Sequence, residues 1–174
     1  RTVVTMATSR QSPQLRAPTT TAGILDMEVY IPLLVVEQSA MELADSVPGK
    51  YINGLGQTRI SCCEECEDAV SMSLTAADAL LRRKKVDAGR IGCVITGSES
   101  AVDRSKGIST RLLRLLGGSA DVHVSDVQAG CRAGVVALFD ACRWAESLPP
   151  GDERLALVVA ADISLYPRGA ARPT

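Results

Sequence analysis

The sequence predicts an α/β fold in which a largely parallel sheet is covered by helices on both faces. Strand-like apolar runs alternate with helical segments along most of the chain, a pattern typical of parallel strands joined by helical crossovers. Residues 155–163 are apolar except for Asp162, as expected of a strand that is buried on both faces. With 174 residues the chain has room for one domain with a substantial core.

The elements are predicted in order from their apolar spacing and from the residues that end them. Residues 24–31 alternate enough for a strand, and Pro32 ends it. Residues 67–85 give the clearest amphipathic helix, with acids at its start, bases at its end and an apolar repeat of Val70, Leu74, Ala77 and Leu81. The other predictions are helices at residues 36–44, 108–116 and 131–147 and strands at residues 91–95, 122–127 and 155–163.

The first 22 residues differ in composition from the rest of the chain. They are rich in Ser and Thr, contain three arginines and precede the first acidic residue, Asp26. This composition predicts either an organellar transit peptide or a disordered tail. We therefore expect residues 1–22 to lie outside the folded domain, which spans residues 23–174.

Charge, hydropathy and cysteine content argue against several classes of function. The net charge of −1 gives no reason to expect a nucleic-acid partner. No apolar run approaches the roughly 20 residues that span a bilayer, so no membrane partner is predicted. With no secretory signal visible, the six cysteines are expected to be reduced rather than paired. Cys63 and Cys66 have CxxC spacing but lack the two further ligands of a structural zinc site, so no metal is predicted.

Polar residues cluster where three of the predicted strands end. The segments TGSES, QAGC and ADIS carry Glu99, Cys131 and Asp162, and such strand ends are where parallel sheets bind ligands. Cys131 stands at the mouth of a helix, whose dipole favours a nucleophilic thiolate. Glu99, if partly shielded from water, suits a general acid or base, and the pair suggests acyl transfer. The simpler interpretations are a packing cysteine, a solvated loop glutamate and a capping aspartate.

Five segments resemble, in order, the N-terminal part of the 3-hydroxy-3-methylglutaryl-CoA (HMG-CoA) synthase family. They span residues 23–174 and are GILDMEVYIP, GKYINGLGQ, TGSESAVDRSKG, the helix after Cys131, and LALVVAADISLYPRGAARPT. The resemblance implies a thiolase-like fold, of which this chain is the N-terminal βαβαβ half with a mixed, mainly parallel sheet. It also implies condensation of acetyl-CoA with acetoacetyl-CoA and water to give HMG-CoA and CoA, a step of the mevalonate and isoprenoid pathway.

The same resemblance assigns roles to individual residues. It implies that Cys131 carries the acetyl group as a thioester and that Glu99 is the general acid/base. It implies that Asp162 and Tyr166 support the active site, and that the positions bordering substrate or CoA are Val47, Pro48, Lys50, Ala170 and Thr174. It further implies a homodimer in the full-length form and no cofactor or metal beyond the CoA thioesters. The acid-free N-terminus favours the mitochondrial matrix, and the family gives the cytoplasm as the alternative.

The sequence also departs from the family pattern. The family motif Asn-Ala-Cys-Tyr-Gly-Gly reads AGCRAG at residues 129–134, so Arg132 replaces an aromatic of the acyl pocket, and Ala170 replaces an asparagine. The family continues beyond Thr174 with a catalytic histidine that His123 does not match. We therefore expect an N-terminal part that is poorly soluble or self-associating when made alone, because it leaves apolar surface uncovered. The alternatives are a non-catalytic interaction subunit and another thiolase-like condensing enzyme, such as a ketoacyl synthase.

Overall fold

The computed structural model of the chain describes residues 2–10, 21–103 and 105–164. Its strands are β1 (Thr2–Arg10), β2 (Thr21–Tyr30), β3 (Leu34–Glu37), β4 (Arg59–Cys62), β5 (Ile91–Gly97), β6 (His123–Val127) and β7 (Leu155–Ala160). Its α-helices are α1 (Gln38–Asp45), α2 (Ala69–Lys84), α3 (Ile108–Leu115) and α4 (Ala133–Glu146), and a short 3-10 turn (Ala88–Arg90) precedes β5.

Five strands form the main sheet, in the order β2-β1-β7-β5-β6. β5 pairs in parallel with β6 and with β7, whereas β1 runs antiparallel to both of its neighbours, β2 and β7. Four of these strands therefore share one direction and β1 opposes them, which confirms the predicted mixed, mainly parallel sheet. β3 and β4 form a separate antiparallel pair.

Helices cover both faces of the main sheet. On one face α2 and α3 enclose a core that includes Leu80, Leu112, Leu157 and Val159. On the other face α4 packs through Ala137 and Ala141 against Cys93, Ile95 and Val158. The two alanines are four residues apart and so lie on one side of α4, where their small side chains bring the helix close to the sheet. β5 and β7, which lie beneath these helices, are almost wholly buried.

Helix α2 begins two residues later than predicted because Asp68 is its N-cap. The Asp68 carboxylate accepts a hydrogen bond from the Ser71 amide at 2.7 Å, and the Ser71 hydroxyl accepts one from the Asp68 amide at 2.8 Å. The buried face also differs from the predicted one, since Val70 and Leu74 are only half-buried. Its fully buried residues are Ala69, Met72, Ser73, Ala76, Ala77 and Leu80.

Strand β1 lies in the segment for which composition predicts a disordered tail or a transit peptide. Thr2–Arg10 is instead an interior strand, which differs from the disordered-tail prediction for these residues. Valine and threonine are frequent here and suit a strand whose neighbours are in place. The transit-peptide alternative and the boundary at residue 22 stay predictions, and residues 11–20 lie outside the described part of the chain.

The first predicted helix is shorter at its start than expected. Residues 34–37 form β3, and α1 begins at Gln38 rather than at residue 36. Within the described residues, no helix has the length and apolar character needed to cross a membrane.

Candidate active site

Three polar segments meet at the carboxyl ends of β5, β6 and β7. Glu99 follows β5 by two residues, Cys131 follows β6 by four, and Asp162 follows β7 by two. The Sγ atom of Cys131 lies 4.0 Å from Oε1 of Glu99. β5 lies between β6 and β7 in the sheet, so this strand order brings together three residues that are far apart in sequence. The structure thus places the predicted nucleophile, acid/base and supporting carboxylate at one edge.

Cys131 stands on a turn just before α4 rather than inside the helix. The helix begins at Ala133, two residues later than predicted, and the Ala133 amide donates to the Gly130 carbonyl at 3.0 Å. Gly130 has a φ of +56°, in the left-handed region that favours glycine. A Cβ at position 130 would lie 3.7 Å from Oε2 of Glu99. This turn leaves the Cys131 side chain exposed and directed toward the carboxylate.

Asp162 holds the loop that carries Glu99. Its Oδ1 atom accepts a hydrogen bond from the backbone amide of Glu99 at 2.7 Å. The same oxygen accepts from the Ser98 hydroxyl at 3.2 Å and lies 3.0 Å from the Ser100 hydroxyl. One carboxylate oxygen therefore fixes three successive residues, with Glu99 in the middle, so Asp162 positions Glu99 through its backbone.

The sequence prediction missed Ser98 and Ser100. The Ser100 hydroxyl accepts from the Ile163 amide at 2.8 Å and lies 3.2 Å from the Ile163 carbonyl, and the Ser100 amide donates to Ser98 Oγ at 3.0 Å. These bonds fasten the loop after β5 to the loop after β7. A sequence signal for this role was present, because serines flank Glu99 on both sides in TGSES.

Glu99 differs in one respect from the prediction. A partly shielded carboxylate was expected, but the Glu99 side chain is exposed in the described part of the chain. An open cavity of about 600 Å³ lies beside it, lined also by Glu67, Ser100, Val102 and Ile163. A larger open cavity of about 880 Å³ lies between α2 and α3, lined by residues such as Leu74, Arg82 and Leu115, away from Cys131. Only the smaller one borders a predicted catalytic residue.

The predicted substrate-binding residues fall into two groups. Val47, Pro48 and Lys50 lie in the loop after α1, and Glu42 organises this loop. The Glu42 carboxylate accepts hydrogen bonds from the amides of Gly49, Tyr51 and Ile52 at 2.9, 2.7 and 2.8 Å. These bonds, of which the one from Ile52 is the largest cause, hold the pKa of Glu42 below its ordinary value. The second group, Tyr166, Ala170 and Thr174, lies outside the described residues.

Two other cysteines, one in the sheet and one in α4, have a raised thiol pKa, which disfavours the thiolate form. Burial raises the pKa of Cys93, in β5, to about 12. Burial also raises the pKa of Cys142, in α4, with a smaller contribution from Glu146. Cys131 lies on the turn that precedes α4 and is exposed, whereas Cys93 is buried and Cys142 is half-buried. Within the described residues, no group of three or more His, Cys, Asp and Glu side chains is placed to hold a metal ion.

The strand order and the covering helices place the chain in a fold class, the thiolase-like fold. β-Ketoacyl-[acyl carrier protein] synthase III from Thermus thermophilus superposes on 78% of this chain, which covers 41% of that protein, with a TM-score of 0.68. Its sequence is 20% identical, so the likeness shows the fold alone. The predicted thiolase-like fold is confirmed.

Comparison of sequences gives the family. The family described as "Hydroxymethylglutaryl-coenzyme A synthase N terminal" matches residues 18–174. The chain therefore belongs to the HMG-CoA synthase family, and the predicted resemblance is confirmed.

Individual relatives agree with the family assignment. Hydroxymethylglutaryl-CoA synthase of Saccharomyces cerevisiae is 42% identical over 153 residues, 87% of this chain and 31% of that protein. The mitochondrial enzyme of Rattus norvegicus is 41% identical over 155 residues, 87% of this chain and 30% of its own length. A structure of MvaS in complex with 3-hydroxy-3-methylglutaryl coenzyme A is 32% identical, with a TM-score of 0.75, over 83% of this chain and 34% of that one. The chain spans about a third of the length of these proteins.

Proposed function

We propose that this chain supplies the acyl-carrying and proton-transferring groups for the HMG-CoA synthase reaction, the condensation of acetyl-CoA with acetoacetyl-CoA and water. The observation that carries the proposal is the distance of 4.0 Å between Sγ of Cys131 and Oε1 of Glu99. An exposed thiol beside an exposed carboxylate suits attack on a thioester from solvent, followed by a proton transfer at the acyl group.

The chemistry divides between the two side chains. The Cys131 sulfur, as thiolate, forms a bond to the carbonyl carbon of acetyl-CoA, the bond from that carbon to the CoA sulfur breaks, and CoA leaves as the thiol after taking up a proton. The acetyl methyl then lies next to Glu99, whose carboxylate accepts a proton from it as the methyl carbon attacks the ketone of acetoacetyl-CoA. The ketone oxygen takes up a proton, and water hydrolyses the thioester at Cys131 to release HMG-CoA.

Asp162 and the two serines support this chemistry by position. Asp162 is hydrogen-bonded to Ser98, Glu99 and Ser100, and these bonds hold the Glu99 backbone in place. The Glu99 carboxylate therefore stays near the Cys131 sulfur throughout the reaction. Preorganised geometry of this kind lowers the entropic cost of the reaction. The proposal extends to Tyr166 as a further supporting residue, and to Val47, Pro48, Lys50, Ala170 and Thr174 as residues that border substrate or CoA. The substrates are CoA thioesters, with no added cofactor.

Acetyl transfer to Cys131 is the test. The chain is incubated with acetyl-CoA labelled in its acetyl group, digested, and the labelled peptide is identified by mass spectrometry. Label is expected on Cys131 of the wild-type chain. It should be absent from Cys131→Ser and unchanged in Cys142→Ser, which replaces the half-buried cysteine of α4. Folded wild-type chain without label on Cys131 would contradict the proposal.

Arg132 favours a second candidate, a non-catalytic subunit that acts by interaction. Its exposed side chain follows the nucleophile directly, at a position where an aromatic is expected. A cation at the mouth of the acyl pocket would hinder an apolar acyl group. Arg132→Tyr separates the two: faster acetylation of Cys131 supports the enzyme, and a chain that stays unlabelled even with this substitution supports the interaction role.

Assembly and compartment complete the proposal. We propose a homodimer, to be checked by light scattering, and a place in the mitochondrial matrix, with the cytoplasm as the alternative. The acid-free N-terminal composition supports the first compartment, as does the rat relative that is named mitochondrial. Fusing residues 1–22 to a fluorescent protein and observing its location would decide between them.

A further inference from the structure

β1 has an unusual relation to the family. It ends at Arg10, whereas the family match begins at residue 18. Yet β1 is an interior strand of the main sheet, between β2 and β7. The part of the chain that is shared with the family therefore contains strands on both sides of β1 but not β1 itself.

The pairing of β1 is extensive on both sides. It is aligned with β2 from Thr2 opposite Tyr30 to Arg10 opposite Thr21, with one register shift after Met6. It is aligned with β7 from Val3 opposite Ala160 to Ala7 opposite Ala156.

The side chains at the centre of β1 are buried. Val4 and Met6 have no exposed surface and belong to the same core cluster as Leu157 and Val159, on the face covered by α2 and α3. Thr5, which points to the opposite face, is 7% exposed. The strand therefore contributes both main-chain pairing and core packing.

The family-matched region by itself leaves a gap in this sheet. Among the described strands, β2 pairs with β1 only, so without β1 it has no sheet partner. β7 would also present a long unpaired edge. An unpaired strand edge costs free energy when it is buried, and it tends to pair with another chain when it is exposed.

We propose that the space between β2 and β7 is a strand-binding site and that Thr2–Arg10 is its built-in occupant. The site accepts one extended peptide, antiparallel to both neighbours, with apolar side chains at the two positions that face Leu157 and Val159. Main-chain hydrogen bonds on both sides provide the affinity and the buried apolar positions provide the specificity. The segment completes the sheet within the described part of the chain.

Occupation of the site also reaches the proposed active site. β7 is held by β1 up to Ala160, two residues before Asp162, and Asp162 fixes the backbone of Glu99. An empty site would leave the end of β7 held by β5 alone and would loosen that contact. The inference itself does not depend on the chemistry proposed for Cys131, because it concerns pairing alone.

Hydrogen–deuterium exchange on the whole 174-residue chain tests the proposal directly. The amides of residues 3–7 are expected to exchange at least about 100-fold more slowly than in a free peptide of the same sequence, since this part of β1 lies between β2 and β7. Exchange at the rate of the free peptide would overturn the proposal.

A variant and a peptide test the site separately from its occupant. Val4→Asp with Met6→Asp in the whole chain should remove protection from residues 21–30 and reduce it in residues 155–160, which stay paired with β5 on their other side. The matched exposed pair Ile24→Asp with Met27→Asp should change neither. Adding the peptide RTVVTMATSR to the first variant should restore protection with one peptide bound per chain, and a scrambled peptide should not. Protection of residues 21–30 that persists in the first variant, or a soluble variant that does not bind the peptide, would overturn the proposal. Precipitation of that variant would agree with an open sheet edge. The hydrogen–deuterium exchange of the wild-type chain would then decide whether the proposal stands.

Discussion

Gly97 ends β5 directly below the start of α4, and replacing it by alanine tests how closely these two elements fix Cys131, the proposed nucleophile. A Cβ at position 97 would lie 2.4 Å from the carbonyl carbon of Ala133 and 2.5 Å from the amide nitrogen of Gly134. Ordinary contacts of a Cβ begin at 3.4 Å, so the first turn of α4 has to move away by about 1 Å. The atoms in contact are backbone, and no side-chain rotation relieves the clash.

Two effects of Gly97→Ala follow from that displacement. Overpacking of this kind lowers the free energy of unfolding by about 1–3 kcal/mol. A displacement of about 1 Å at a reacting group costs on the order of 100-fold in rate. Cys131 stands two residues before α4, so its acetylation by acetyl-CoA should slow by roughly that factor while the chain remains folded at 25 °C.

Urea denaturation followed by circular dichroism measures the first effect, and the rate of labelling from acetyl-CoA measures the second. Gly23→Ala is the matched control, because a Cβ at position 23 has no atom within 4 Å. It should leave both quantities unchanged. If Gly97→Ala matched Gly23→Ala in both the urea midpoint and the labelling rate, the close packing of β5 against α4 would be refuted.

Three further changes test other contacts. Gly134→Ala places a Cβ 2.6 Å from the Cβ of Ala160 and should lower the free energy of unfolding by about 1–3 kcal/mol. Adding Ala160→Gly should recover most of the loss in the urea midpoint. A double variant with the same midpoint as Gly134→Ala would contradict the contact. Ser100→Ala removes the hydroxyl that joins the loops after β5 and β7, and should cost roughly 1–2 kcal/mol in the same assay and slow acetylation, whereas unchanged values would contradict its role. Hydrogen bonds from Arg83, and then from Lys84, hold the pKa of Asp26 far below its ordinary value, so its stabilising effect is complete above about pH 4 and is lost as the pH falls toward the folded-state pKa. Arg83→Gln should therefore flatten the fall in melting temperature between about pH 5 and pH 2, and an unchanged slope would contradict this account.

The apolar spacing of the sequence predicted most of the family-matched elements. β5, β7 and α4 are found where the pattern placed them, with ends that differ by at most three residues. The ends differ because caps and turns decide them. Asp68 is the N-cap of α2, so the helix begins at Ala69. The left-handed backbone conformation of Gly130 forms a turn that keeps Cys131 outside α4. The position of the serines beside Glu99 was visible in the sequence, but their bonds to Asp162 and Ile163 depend on which strands are neighbours.

What the sequence determined by itself is the α/β class, the family and the identity of the residues at the strand ends, because periodicity and motifs are local properties of the chain. Tertiary structure alone decided the distance between Cys131 and Glu99, since it depends on β5 lying between β6 and β7. It also decided the state of Thr2–Arg10, whose composition favours a tail. That segment becomes a strand because β2 and β7 offer unpaired edges and a core for Val4 and Met6, and such partners are far away in sequence.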